Sequence, residues 1–212
     1  MDSRGRKMNH YNEKYYIVFE KYDENTLYLK PQKHSSMRDY EFTKLSGSEP
    51  MFFENGYREE DTARGVSRPL KKVHLDSTYP VITDEIKKSL GKVENEYFQL
   101  FPAVIVDDSG KYHEEYWVFN VFEKMDVLNL EECDIDDFDP EETRHTIDKY
   151  SLDTDKLDAL AEKERLVFMP KYSDYSHIMV NESVVKAFKK HNVDTLNFVK
   201  VSDWEMGLQF VS

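Results

Sequence analysis

VITDEIKKSL, residues 81–90, and MVNESVVKAF, residues 179–188, are two versions of one phrase. In each, an apolar pair is followed by a small polar residue suited to cap a helix, Thr83 or Asn181. An acidic side chain then enters the first turn, and apolar positions at helical spacing run on to nearby lysines. Thr83 is expected to accept a bond from the free amides of the first turn, Ile82, Ile86 and Leu90 share one face, and Gly91 stops the helix. In the second copy Asn181 caps, and Val184, Val185 and Phe188 form the apolar face. Strand-like sequence follows each helix: EYFQLFPAVIV (96–106), whose Pro102 demotes the middle to an edge or a bulge, and VDTLNFVKV (193–201). The expectation is a helix and strand unit used twice, against the plainer reading that caps and amphipathic faces look alike wherever they occur.

Between the two phrases, EEYWVFNVFEKMDVLNL (114–130) is apolar on both alternating faces, as a central strand covered on two sides would be. KYYIVFEKYDENTLYLKP (14–31) reads as a hairpin around the turn-forming YDEN. Residues 44–69 mix glycines, prolines and charges around a short aromatic patch and read as a long loop. That places a boundary near residue 66, between a hairpin-containing segment and linker (1–65) and an α+β domain (66–212). RHTIDKYSL (144–152) and RLVFMPKYS (165–173) are further strand candidates, and DTDKLDALAEKE (153–164) is a helix candidate capped by Asp153 or Thr154, with Leu157 and Leu160 inward. The expected fold class is α+β: mixed or antiparallel strands with a few short amphipathic helices.

With 39% hydrophobic and 14% aromatic residues, the 212-residue chain can bury a core, and its aromatic content argues against disorder. No run approaches the roughly 18 apolar residues of a membrane span, and the first residues lack the apolar region of a signal peptide. A single cysteine, Cys133, excludes an internal disulfide framework and suits a reducing compartment, so a cytoplasmic chain is expected. The net charge of -13 is a block: residues 107–165 carry 20 acidic against seven basic side chains, and the rest of the chain is balanced.

The familiar catalytic spacings are missing. The seven glycines are scattered singly, so no loop is built to cradle a phosphate, and the seven histidines never recur at i, i+4. No G-x-S-x-G elbow occurs, and the carboxylates around Cys133 in EECDIDD would raise its thiol pKa. The short basic cluster RPLKK (68–72) is a poor nucleic-acid footprint in so acidic a chain. No cofactor is expected, and neither a nucleic acid nor a membrane is expected as a partner.

The stretch EECDIDDFDPEE (131–142) stands out. Counted from Asp134, the sixth residue is Asp139 and the twelfth His145, which excludes an EF-hand though not looser cation binding. One reading is a solvated loop that keeps the chain soluble. The functional reading is an electrostatic face for a basic partner, formed by Asp134, Asp136, Asp137, Asp139, Glu141 and Glu142 with Phe138 as an apolar anchor.

RPLKKV followed by PVITDEIKKSL, QLFPAVI, YWVFNVFEKMDVLNL, LVFMPKYSDYSHIMVNESVVKAFKKHNV and LNFVKV resemble, in order and spacing, the bacterial polymorphic-toxin immunity proteins of immunity family eleven, a former domain of unknown function. The resemblance covers about residues 66–201, with Asn120, Val121, Asp126 and Leu128 at the positions of the family's middle motif. It implies a cytoplasmic antidote that binds and occludes a cognate protein toxin encoded next door, without catalysis. The acidic block fits a basic toxin. Asn120 and Asp126 are read as structural, tying strand ends to backbone groups. Two rivals remain: a cation-dependent hydrolase or transferase using the acidic stretch, and an acidic adaptor in a regulatory complex. The sequence leaves the oligomeric state open.

Overall fold

The architecture turns on the strand nearest the N-terminus, where alternate side chains enter two different cores. Tyr15 and Ile17 are buried in one, with Phe19 packed against it, while Tyr16 and Val18 pack against the other. A period of two with both faces apolar is the mark of a strand covered on both sides. The structure is a computed structural model that describes residues 9–38, 42–77 and 79–210.

Its strands are β1 (Tyr15–Glu20), β2 (Leu29–Pro31), β3 (Met51–Asn55), β4 (Val73–Asp76), β5 (Tyr79–Thr83), β6 (Phe98–Val106), β7 (Tyr112–Val121), β8 (Lys124–Met125), β9 (Asp134–Ile135), β10 (Arg144–His145), β11 (Ile147–Lys149), β12 (Val167–Pro170), β13 (Tyr172–Ser173), β14 (Ile178–Asn181) and β15 (Leu196–Lys200). The α-helices are α1 (His10–Lys14), α2 (Lys33–Ser36), α3 (Arg58–Arg64), α4 (Asp84–Leu90), α5 (Thr154–Asp158) and α6 (Glu182–Lys190). The expected α+β class holds, with more strand than helix.

Two sheets carry the fold. One has the order β15-β1-β14-β12-β8 and the other β2-β3-β6-β7-β5-β4, with two small pairs, β9 with β11 and β10 with β13, outside them. The edges of the six-stranded sheet meet through a bridge between Tyr28 and Leu75, so that sheet curls until its ends touch. The larger core joins its inner face to α4, α6 and one face of the five-stranded sheet; the smaller core lies on that sheet's other face.

The repeated phrase is a repeated topology. In the first copy the antiparallel pair β4-β5 leads into α4, and the chain returns as β6, separated from β5 by β7. In the second, β12-β14 leads into α6 and the chain returns as β15, separated from β14 by β1. Each unit is therefore a hairpin followed by a split β-α-β crossover between parallel strands. The copies agree in detail. The N–H of Thr83 donates to Lys72 O and that of Asn181 to Leu166 O, both at 2.9 Å. Ion pairs Asp84–Lys88 and Glu182–Lys186 sit at the same helical offsets. The two helices meet, with Ser89 Oγ 2.6 Å from His191 Nε2.

The caps differ. Asn181 accepts from Ser183 N at 3.0 Å, whereas Thr83 Oγ1 is buried with no hydrogen-bond partner among the described residues and does not cap the helix.

Two local expectations are corrected. Residues 14–31 hold two strands, but these do not pair with each other: β1 inserts between β14 and β15, and β2 pairs with β3. The aromatic runs found better partners far along the chain, because strand preference is set by the face a strand covers. Residues 44–69 are not a continuous loop. Buried Met51 and Phe53 make β3 a strand parallel to β6, and the following turn winds into α3, ended by Gly65 in the left-handed conformation at φ 66. Pro102 fits its expectation of an edge or a bulge: it is exposed, the pairing of β6 with β3 begins only at Ala103, and the register with β7 shifts between Ala103 and Ile105. EEYWVFNVF is the central strand expected, ending at Val121.

Strands from either side of residue 66 are neighbours in both large sheets: β1 beside β14 and β15, β3 beside β6.

Candidate functional site

The acidic stretch is a projecting excursion pinned at its two ends. β9 pairs with β11, Ile135 opposite Ile147, and Asp136 N donates to Thr146 O at 3.2 Å. Arg144 and His145 then run parallel to Tyr172 and Ser173. Between these anchors Asp137 takes a left-handed backbone at φ 45, a conformation aspartate tolerates, and Asp139 Oδ1 accepts from Glu141 N at 2.8 Å to turn the chain.

Asp134, Asp136, Asp137, Asp139, Glu141 and Glu142 are all exposed, and none forms an ion pair among the described residues. Phe138 is 48% exposed, with its ring 5.1 Å from that of His145. Six uncompensated carboxylates and a half-open aromatic ring on one short excursion can attract a cationic surface and offer it an apolar contact.

Behind the excursion Cys133 is half-buried, and desolvation pushes its thiol up to about 11, with Glu132 adding to the shift. Burial, ahead of the carboxylates invoked from the sequence, keeps this thiol protonated and unreactive. Ser151 N donates to Cys133 Sγ at 3.2 Å and Ser151 Oγ to Glu132 at 3.0 Å, fixing the start of the stretch to the smaller core.

The two motif positions lie elsewhere. Asn120, on β7 and fully buried, accepts from Gln99 Nε2 at 2.9 Å across the β6–β7 pair. Asp126, just beyond β8, accepts from Lys156 Nζ at 2.8 Å, and the same ammonium donates to Leu128 O at 3.1 Å, linking β8 to α5.

The sequence matches the family described as Immunity protein family (Imm11) over residues 1–203. The chain belongs to that family. The match takes in the first 65 residues, as well as the 66–201 span that carries the resemblance read from the sequence. A search of curated proteins returned no match. Imm11 membership makes toxin immunity the coarse function and a toxin protein the implied partner.

Among the described residues of this Imm11 protein, no three of His, Cys, Asp and Glu come together so as to hold a metal ion, and no helix is long and apolar enough to cross a membrane.

Two adjoining clefts were not foreseen. One, of about 510 Å³, is bounded by Val18, Glu20, Tyr22, Leu75, His177 and Phe210. The other, of about 640 Å³, lies on the far side of Tyr22 and is bounded by Asp23, Tyr28, Tyr57, Glu60, Arg64 and Arg68. His177 is held by Tyr150, whose hydroxyl lies 3.2 Å from Nδ1 and 2.8 Å from Ser173 Oγ, and burial pushes the imidazole down to about 4, so it is neutral at pH 7. No sequence signal could assemble these walls, because their aromatics come from the β1–β2 connection, the start of α3 and the C-terminal turn.

Proposed function

We propose that this Imm11 protein is a non-enzymatic cytoplasmic antidote that binds a basic cognate toxin, encoded beside it, and neutralises it by occlusion. The excursion at 134–142 is the surface that meets the toxin first. The observation that carries the reading is the family match together with six exposed carboxylates that no cation of the described chain neutralises. Charges so placed add to encounter rate more than to final affinity, because they act at a distance and remain hydrated at the rim of an interface. Asn120 and Asp126, whose contacts are all within the fold, serve the scaffold.

The test is simultaneous reversal of Asp134, Asp136, Asp137 and Asp139 to lysine. Association with the neighbouring gene's product should slow by an order of magnitude or more at low salt, lose most of its salt dependence, and protect cells less well. Unchanged association and protection would remove this surface from the mechanism.

A further inference from the structure

Of the nine large apolar side chains that stand exposed among the described residues, Tyr22, Tyr57, Val66 and Phe210 border the two adjoining clefts, and Tyr175 stacks on His177 beside them at 5.4 Å. Such side chains ordinarily scatter singly over a surface, and their collection around two hollows marks a place where something docks.

The segment bearing Tyr22 is also held still. Lys21 N donates to Thr195 O at 2.9 Å on one side of it. On the other, Asn25 N donates to Asp23 Oδ1 at 2.8 Å, and Arg68 donates to the carbonyl of Glu24. Tyr28 donates to Glu20, and its ring meets that of Tyr57 edge-on at 5.9 Å. Tyr22 is therefore 67% exposed on an anchored support, and a rigid aromatic anchor costs little further ordering when a partner arrives.

The walls say what the partner carries. The lining carries the carboxylates of Glu20, Asp23, Glu24, Glu60 and Asp61 against two guanidiniums, Arg64 and Arg68; Arg68 is committed to Asp61 at 2.7 Å, and Lys71, 3.9 Å from Asp23, offsets one more, so the rim stays acidic. A second copy of a chain with net charge -13 would bring like charge to this rim. An apolar or aromatic side chain flanked by lysine or arginine matches it.

We propose that the Tyr22 clefts are the anchoring site for a basic, apolar-tipped projection of the toxin, so that the 134–142 excursion sets how fast the complex forms and the clefts set how long it lasts. This rests on the toxin-binding reading above. The division of labour follows from the physics: exposed charges act on approach, whereas buried aromatic contacts must be broken before the partner can leave.

The test measures association and dissociation rates of the purified neighbouring gene product on the wild-type chain, on Y22A/Y57A, and on Y112A, which removes an exposed tyrosine at the start of β7 that lines neither cleft. Tyr22 and Tyr57 are at least half exposed, so the double variant should fold, with its melting temperature lowered by no more than a few degrees for the lost ring contact with Tyr28. Dissociation at least tenfold faster in Y22A/Y57A, with association within threefold of wild type and Y112A unaltered, is the expected result. Dissociation within threefold of wild type, or a change confined to association, overturns the anchoring site while leaving the toxin-binding reading intact. Failure of the wild-type chain to bind overturns both. Self-association of the free chain that Y22A/Y57A abolishes would assign the clefts to a second copy and overturn the proposal.

Discussion

Arg68→Ala should be among the most damaging single substitutions in the chain. The Asp61 side chain is 3% accessible and accepts three hydrogen bonds: from Arg68 Nε at 2.7 Å, Arg68 Nη2 at 2.9 Å and Asn55 Nδ2 at 3.0 Å. The guanidinium fork matches the carboxylate with two parallel bonds and, as the leading cause, holds the Asp61 pKa below its usual value. Removing Arg68 leaves a buried carboxylate with one neutral donor. Breaking a buried pair in this way costs about 3–5 kcal/mol, a large fraction of the roughly 5–15 kcal/mol that holds a typical domain together. At about 2–4 °C per kcal/mol for a chain of this size, the melting temperature should fall by roughly 6–20 °C. The assay is urea unfolding followed by tryptophan fluorescence, with calorimetry alongside; the midpoint should fall with little change in slope. D61N/R68M, which removes both charges and keeps an acceptor for Asn55, should recover most of the loss. A cost for Arg68→Ala below about 1 kcal/mol, the scale of a solvated surface pair, would show that Asp61 is not held as a buried ion pair, as would a double variant no better than the single one. Because Arg68 also grips Glu24, the single variant should free the Tyr22 segment.

Three further outcomes follow from the same structure. Asn181→Ala should lose about 1 kcal/mol of stability, whereas Thr83→Val should be neutral or slightly stabilising, because Thr83 Oγ1 is buried and makes no hydrogen bond among the described residues; equal losses on denaturation would contradict the difference between the two caps. Burial pushes His74 down to about 4 and Asp76 up to about 6. His74, accepting from Lys71 N through Nε2, therefore contributes stability that is complete above its unfolded value and is lost as pH falls toward 4, while charged Asp76 costs stability above pH 6 and ceases to do so as pH falls. Asp76→Asn should accordingly raise stability at pH 7.5 by roughly 1–3 kcal/mol and lose that advantage near pH 4; no gain at pH 7.5 in a pH-resolved melting series would count against it. A fragment of residues 66–212 should not give a cooperative melt alone, since it lacks β1 from the middle of one sheet and β3 from the interior of the other; a sharp transition would show that the segment folds independently.

What the sequence made legible was whatever is written in adjacent residues. Asn181 and Asp153 announce helices because a cap acts within one turn, and the match of Asp84 and Lys88 to Glu182 and Lys186 survives because both lie four apart. The exposed acidic stretch was legible for a similar reason, since a run of carboxylates with no neighbouring cations stays in water. The pairing of β1 was not, because Tyr16 opposite Val180 and Lys200 joins residues more than 160 apart, and nothing local in YYIVFE prefers those partners to LYLKP. Residues 51–64 read as loop because their charges dominate, although Met51 and Phe53 alternate as a half-buried strand does. The clefts around Tyr22 were invisible for the reason β1 was: Tyr22, Tyr57 and Phe210 meet only after both sheets have formed.

Expressing the adjacent gene with and without this chain, and isolating the complex through a tag on this chain, decides whether this Imm11 protein neutralises a toxin by binding it. The neighbour alone should arrest growth, co-expression should restore it, and the two proteins should purify together at 1:1. A neighbour harmless by itself that does not co-purify would rule out neutralisation by binding.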